Sequence, residues 1–215
     1  MEVLVNAFKK HLDLEKVKYE NEIKSKLEIF ENTTKTYDSK YLYLEEINVK
    51  NSVFTSKISN GILIRKIFAE NSRIVLKLEG DFLIVYDEIY GKGNVEYLVY
   101  GKVKEAYHYF RLMPFENSTI SSKVRNVVEK SLVSIGVIFI DENAVNSFGS
   151  MDKLFLLKEN ANVISFPILD VKNSNSKAFH SSKTVRMEEE QINYLMLKGL
   201  SLKEIEVLFE RSFEE

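Results

Sequence analysis

From about residue 40 to residue 180 the chain is made of short apolar runs, rich in β-branched and aromatic residues and closed by Asn, Ser, Gly or Asp. Tyr41–Leu44, Gly61–Ile64, Arg73–Leu78, Phe82–Tyr86 and Val95–Tyr100 are followed by Tyr107–Phe110, Ser134–Ile140 and Leu154–Leu157. Runs of this composition, separated by turn formers, predict strands joined by turns and therefore a mostly β body. Short strands at close intervals fit a sandwich, a barrel or a β-solenoid. No clean self-similar repeat stands out, and the Gly-x-Asp repeats of calcium-loaded solenoids are absent, so local periodicity leaves the three open.

The flanks follow a different pattern. In residues 1–31, Val3, Leu4, Ala7, Phe8, Leu12 and Leu14, then Val17, Ile23, Leu27 and Phe30, recur at spacings of three and four between charged residues. This predicts an N-terminal helical segment with one buried face. Residues 32–183 are expected to form the β body, and 184–215 a C-terminal helical hairpin. In that hairpin Glu188, Glu189 and Glu190 suit the positive end of a helix dipole, and Ile192, Leu195 and Met196 form an apolar stripe. Gly199 is a natural left-handed terminator, and Ser201-Leu202-Lys203-Glu204 reads as a capping box for a second helix carrying Ile205, Leu208 and Phe209.

Composition removes most enzyme classes. Cysteine is absent, which excludes disulfides, thiolate catalysis, Cys-ligated zinc and self-sufficient Cys ligation of an iron–sulfur cluster. The three histidines, His11, His108 and His180, lie far apart in sequence. A net charge of −2 gives no basic field for nucleic acid, and residues 187–215 carry eight Glu against Lys198, Lys203 and Arg211, which argues against DNA binding. No apolar run is long enough to span a bilayer, and the first residues meet charges too soon for a signal peptide. The expectation is a cytoplasmic protein that is not an enzyme.

Individual motifs add little chemistry. Gly91-Lys92-Gly93 lacks the spacing of a phosphate loop and reads as a turn. The aromatics Tyr97, Tyr100, Tyr107, Tyr109 and Phe110 read as core and surface ladder residues. Asp87-Glu88 and Asp141-Glu142 are adjacent pairs; in a strand such neighbours point to opposite faces, which does not suit glycoside hydrolysis. A carbohydrate-active β-helix enzyme would need a groove lined by convergent carboxylates.

One stretch is more specific. Phe166-Pro167-Ile168-Leu169-Asp170-Val171-Lys172-Asn173 leads through His180 into Met187–Ser201, and the chain closes with Ile205-Glu206-Val207-Leu208-Phe209 and Phe213. This order resembles the core of the SufB/SufD family, scaffold proteins of SUF iron–sulfur cluster assembly. There a Pro-x-Leu-Glu/Asp-Val/Ile segment and a histidine precede Asp-Glu-x-Gln-Leu-x-Tyr-Leu-x-x-Arg-Gly-Ile/Leu-Ser. The likeness covers residues 160–213 and extends back toward Ser118. It implies a right-handed parallel β-helix, or β-solenoid, flanked by N-terminal helices and the C-terminal hairpin. Departures imply a shortened, SufD-like member: Lys198 replaces the motif arginine, and Ala161 and Ser181 align with a cysteine and a glutamate of the SufB branch.

The resemblance further implies a non-catalytic scaffold that pairs with a SufB-like chain or with itself as a dimer and docks a SufC-like ATPase. No cofactor is expected on the chain alone; an iron–sulfur cluster would be shared with a partner. His180 is the candidate metal ligand, since a neutral imidazole nitrogen suits iron. Tyr194, Leu195, Lys198, Gly199, Leu200, Ile205, Leu208 and Phe209 are the candidate partner-binding residues. The alternative is a β-solenoid structural or binding protein that shares the fold without the assembly role.

Overall fold

A computed structural model describes residues 21–214. Eleven strands, β1 (Asn21–Ile29), β2 (Thr33–Tyr37), β3 (Tyr41–Lys50), β4 (Val53–Ile58), β5 (Gly61–Glu70), β6 (Arg73–Lys92), β7 (Asn94–Pro114), β8 (Thr119–Ile140), β9 (Phe148–Leu157), β10 (Asn162–Val171) and β11 (Lys177–Arg186), precede helices α1 (Glu189–Leu197) and α2 (Leu202–Glu214). Every strand pair is parallel. The first ladder stacks β1, β3, β5, the second halves of β6, β7 and β8, and then β10. The second ladder stacks β2, β4, the first halves of β6, β7 and β8, then β9 and β11. The chain alternates between ladders as it advances, so the fold is a parallel β-solenoid with its core between them.

Two kinds of corner make the winding possible. Where the chain leaves the first ladder, Asn51, Asn71, Gly93, Asn117 and Asn146 take positive φ, between 45° and 70°. Asparagine and glycine tolerate that region because the short polar side chain, or none, avoids the Cβ clash. Serines beside these residues bind successive corners together: Ser72 Oγ accepts from Ser52 N, Ser118 Oγ from Gly93 N, and Ser176 Oγ from Ser147 N. An Asn-Ser pair therefore recurs at 51–52, 71–72, 117–118, 146–147 and 175–176. The pairs lie 20 residues apart at the start and 29 at the end, and the corner at Gly93-Asn94 lacks one, which hides them from a search at fixed period. At the opposite corner Gly80 and Gly101 pass so close to the preceding coil that a Cβ would lie 1.6 Å from Ser59 O and 1.9 Å from Leu78 O.

One expectation is corrected. The segment predicted as helix over 1–31 contains β1, in which Ile23, Ser25, Leu27 and Ile29 alternate toward the core and Glu22, Lys24, Lys26 and Glu28 point outward. Ile23 and Leu27 are four apart, a separation that serves a helix face and a strand face equally. Residues 1–20 lie outside the described residues. The β body accordingly begins at Asn21, and β11 carries it to Arg186.

The core is mainly apolar but holds several buried polar and charged side chains. Glu45, Arg65 and Asp87 occupy one inward column of the first ladder, each fully buried. Tyr37 OH donates to Glu45 Oε2 at 2.6 Å, Lys35 bonds the same carboxylate, and Tyr97 OH donates to Asp87 Oδ2 at 2.6 Å. Such pairing is what allows charged groups to remain in a desolvated interior.

Candidate docking end of the solenoid

β10 hydrogen-bonds to β8 and β11 to β9, and among the described residues no strand stacks beyond them. The last coil is thus open on one side. On β10, Ile164, Phe166 and Ile168 alternate outward and stay 52%, 54% and 44% exposed. Leu169 and Val171 stand in the inward columns over the fully buried Ile138 and Ile140, yet both are exposed because nothing covers the end of the core. Phe179 on β11 is 59% exposed beside Phe148. The two strands are tied across the mouth by Ser165 Oγ and Ser182 Oγ at 2.9 Å. An uncovered parallel edge with apolar side chains on both aspects is a template for another chain.

His180 belongs to this mouth. It pairs in register with Met151, which is buried, and so stands at the end of the inward column Tyr97–Ser122–Met151. It is exposed because it sits on the final coil. Its neighbour Ser181 points outward and donates to Asp152 Oδ1, where Arg125 also binds. Partial burial opposes ionisation of Asp152, but these two donors outweigh it and hold the carboxyl below its usual range. Among the described residues no three His, Asp or Glu side chains converge as a metal site, so His180 offers one donor and no more. Ala161 is wholly buried at the turn into β10, where Arg186 Nη2 donates to its carbonyl at 2.6 Å.

Lys153, fully buried on β9, lies directly beneath Ser182 of β11. Its ammonium donates to Ser134 O at 3.0 Å and to Phe166 O at 3.5 Å and stands 5.2 Å from the Phe110 ring centre. Burial alone pushes it down to about 7.

The hairpin forms as its sequence predicts. Glu188 N donates to Gln191 Oε1, Gly199 terminates α1 at φ +91°, and Leu200 N closes back on Leu195 O at 3.2 Å. Ser201 and Glu204 exchange capping hydrogen bonds, with Ser201 N donating to Glu204 Oε2 at 2.8 Å. α2 then lies on the outer face of the second ladder. Ile205 is fully buried, and Phe209 packs on Val127 and Leu156. Lys158 Nζ at 2.8 Å and Lys102 Nζ at 3.1 Å clamp Glu210, and Lys158 also approaches Glu206.

This arrangement divides the candidate partner-binding residues. Ile205 and Phe209 face the chain's own body and anchor the hairpin; helical spacing shows an apolar face but not what it meets. Tyr194, Lys198, Gly199 and Leu208 remain exposed, and Leu195 and Leu200 are half-buried. Lys198 Nζ stands 5.4 Å from the Tyr194 ring centre. Met196, expected in the buried stripe, is exposed, and Leu197 reaches 87% exposure. The signal missed in the sequence was the exposed set Ile164, Phe166, Ile168 and Phe179, because alternating apolar residues in a strand read as core until the stacking order is known.

Among the described residues no helix is long and apolar enough to cross a membrane. No curated protein matches the chain significantly. Residues 117–213 match the family model described as SUF system FeS cluster assembly, SufBD core domain, a span that takes in β8 to β11, α1 and α2 as far as Phe213.

Proposed function

We propose that the chain, whose residues 117–213 match the SufBD core domain, is a member of the SufB/SufD family that acts in SUF iron–sulfur cluster assembly as a non-catalytic scaffold subunit with two docking surfaces. The observation that carries this reading is the open last coil, whose apolar side chains and free strand edges have no occupant within the described chain. A SufB-like chain or a second copy would pair there, burying Ile164, Phe166, Ile168 and Phe179 and supplying hydrogen-bond partners for the edge.

The hairpin is the second surface. Tyr194, Leu197 and Leu208 present apolar area on an acidic element, a combination that suits a partner whose approach is steered by charge and held by burial. α2 is anchored on β8 and β9 through Phe209 and Glu210, so a SufC-type ATPase gripping the hairpin would pull on the ladder next to the open mouth. The cluster is the cargo of this system. His180 would contribute one imidazole to it, and every further ligand would come from the partner chain.

Co-purification of the intact chain with a SufC-type ATPase, and loss of that binding on deletion of residues 187–215, tests the hairpin. Co-expression with a SufB-like chain, comparing wild type with Phe166→Lys, tests the open coil. Binding to neither partner would replace this reading with that of a β-solenoid protein outside the assembly machinery.

A further inference from the structure

Lys153 carries a charge next to the open coil that neither docking surface uses. It projects from β9 across the core to the first ladder, where Ser134 O on β8 and Phe166 O on β10 accept from its ammonium. Both acceptors are uncharged main-chain carbonyls. Phe166, which supplies one of them, turns its side chain to the exposed face of the last coil. In its own inward column Lys153 lies between Val124, fully buried, and Ser182, exposed on β11. A single layer of strands therefore separates a desolvated ammonium from the water at the mouth. Two histidines are turned toward this part of the core, His108 on β7 and His180 on β11. Burial holds His108 neutral, and Lys153 adds to that effect. The Arg65–Asp87 pair lies beyond Tyr97, whose hydroxyl bonds Asp87. The remaining charged neighbours stand on the outer faces: Lys123 and Arg125 on β8 beside Asp152 on β9, Asp170 on β10 paired with Lys172, and Lys183 on β11 in register with Leu154.

We propose that a partner docking on the last coil displaces the proton of Lys153, because an uncharged, apolar partner face closing over Ile164, Phe166 and Ile168 removes the water beyond Ser182. The inference rests on the reading of the open coil as a docking surface and adds its regulation by pH. The apolar side chains displayed there select an apolar face, and such a face brings burial without a compensating charge. A neutral amine keeps N–H donors, so the bond to Ser134 O survives the loss of the proton. In the free chain burial has already brought Lys153 down to about 7, and further burial lowers it again. The complex then binds fewer protons than its separated parts, so association weakens as pH falls below about 7 and levels off above it. A partner carboxylate reaching toward the mouth would reverse the sign, holding the ammonium charged and tightening association in acid.

The test measures Kd for a SufB-like chain, and for self-association by dilution, by calorimetry of the full-length protein at pH 6, 7 and 8. His180→Gln is the background, since histidines titrate in this range and this one stands at the same mouth. The expected result is association about fivefold weaker at pH 6 than at pH 8, a dependence that Lys153→Met in the same background removes. Groups of the partner titrate alike against both proteins, so the difference belongs to Lys153. As a readout that needs no change at this position, lysine labelled in this chain alone should give an NMR signal titrating near pH 7, converted to the neutral amine at pH 7 when the partner is added. A pH dependence that persists in Lys153→Met, association that strengthens in acid, or an ammonium retained in the complex would each overturn the inference while leaving the docking surface standing. Absence of association in either form at every pH would remove the docking reading and this inference with it.

Discussion

Arg65 and Asp87, side by side on adjacent strands and both cut off from solvent, meet through two parallel hydrogen bonds, Nε to Oδ1 at 2.7 Å and Nη2 to Oδ2 at 2.6 Å. Burial works against the guanidinium, but the Asp87 carboxylate overrides it and the arginine is held more firmly charged than usual. Ser56 and Tyr97 complete the cluster. Removing one member leaves the other charge unpaired in the core. Arg65→Met or Asp87→Leu alone is expected to cost about 3–5 kcal/mol in chemical denaturation, whereas the double replacement should recover much of that loss. Additive single losses would show that the two do not act as a pair.

His108 stands next to this cluster, its Nε2 3.1 Å from Tyr97 OH. Burial pushes it down to about 3; Lys153 and Arg65 act in the same direction and Asp87 against it. The unfolded chain takes up this proton near pH 6.5 and the folded chain only near 3, so the unfolded state binds more protons in between. Stability should therefore fall as pH drops from about 6.5 to about 3. In His108→Phe that part of the decline should vanish, measured as the difference in denaturation midpoint between the two proteins at pH 7.5 and 4.5.

Lys153 acts in the same direction over a higher pH window. Its folded value of about 7 lies below the unfolded value of 10.5, so between these limits the unfolded state again holds the extra proton. Stability contributed at this site should rise from about pH 7 to about 10.5, and the desolvation cost is complete below 7. Lys153→Met is expected to be more stable than wild type at pH 6 and to lose that advantage toward pH 10. An unchanged difference across this range would mean that the ammonium is solvated.

At the corners, Gly101→Ala places a methyl group into Leu78 O at a residue with φ +138° and should cost more than about 2 kcal/mol in thermal unfolding. Gly199→Ala at the hairpin turn has the same kind of backbone, φ +91°, but open space around it, and should cost about 1 kcal/mol. The contrast separates crowding from backbone strain.

For the hairpin, Ile205→Ala truncates a fully buried side chain of α2 and should release the hairpin without unfolding the body. Hydrogen exchange would then quicken in residues 187–212 while β6 to β8 keep their protection. Leu197→Ser, on a side chain 87% exposed, should change stability by no more than about 0.5 kcal/mol and, under the proposed docking role, weaken binding of a SufC-type ATPase. His180→Ala should likewise leave the fold intact and reduce cluster delivery by the assembled complex; a marked loss of thermal stability would make its role structural.

What could be read directly from the residues was local. The capping pair Ser201 and Glu204, the terminator Gly199 and the switch from strands to an acidic hairpin are encoded within a few positions, and they stand where the sequence puts them. So are the strands from Tyr41 to Leu157, whose β-branched and aromatic content leaves little choice. The solenoid itself was legible only through the family resemblance of residues 160–213, since parallel partners such as Asn21 and Tyr41, or Ser131 and Asn162, lie 20 to 31 residues apart and no neighbouring residue records the pairing. Tertiary structure alone decided that Ile23 and Leu27 belong to a strand, that Ile205 and Phe209 face inward, and that Ile164 and Phe166 face outward at an uncovered end. Each of these depends on what stacks above or beside a residue, and burial is a property of the stacked neighbours rather than of the side chain that is buried.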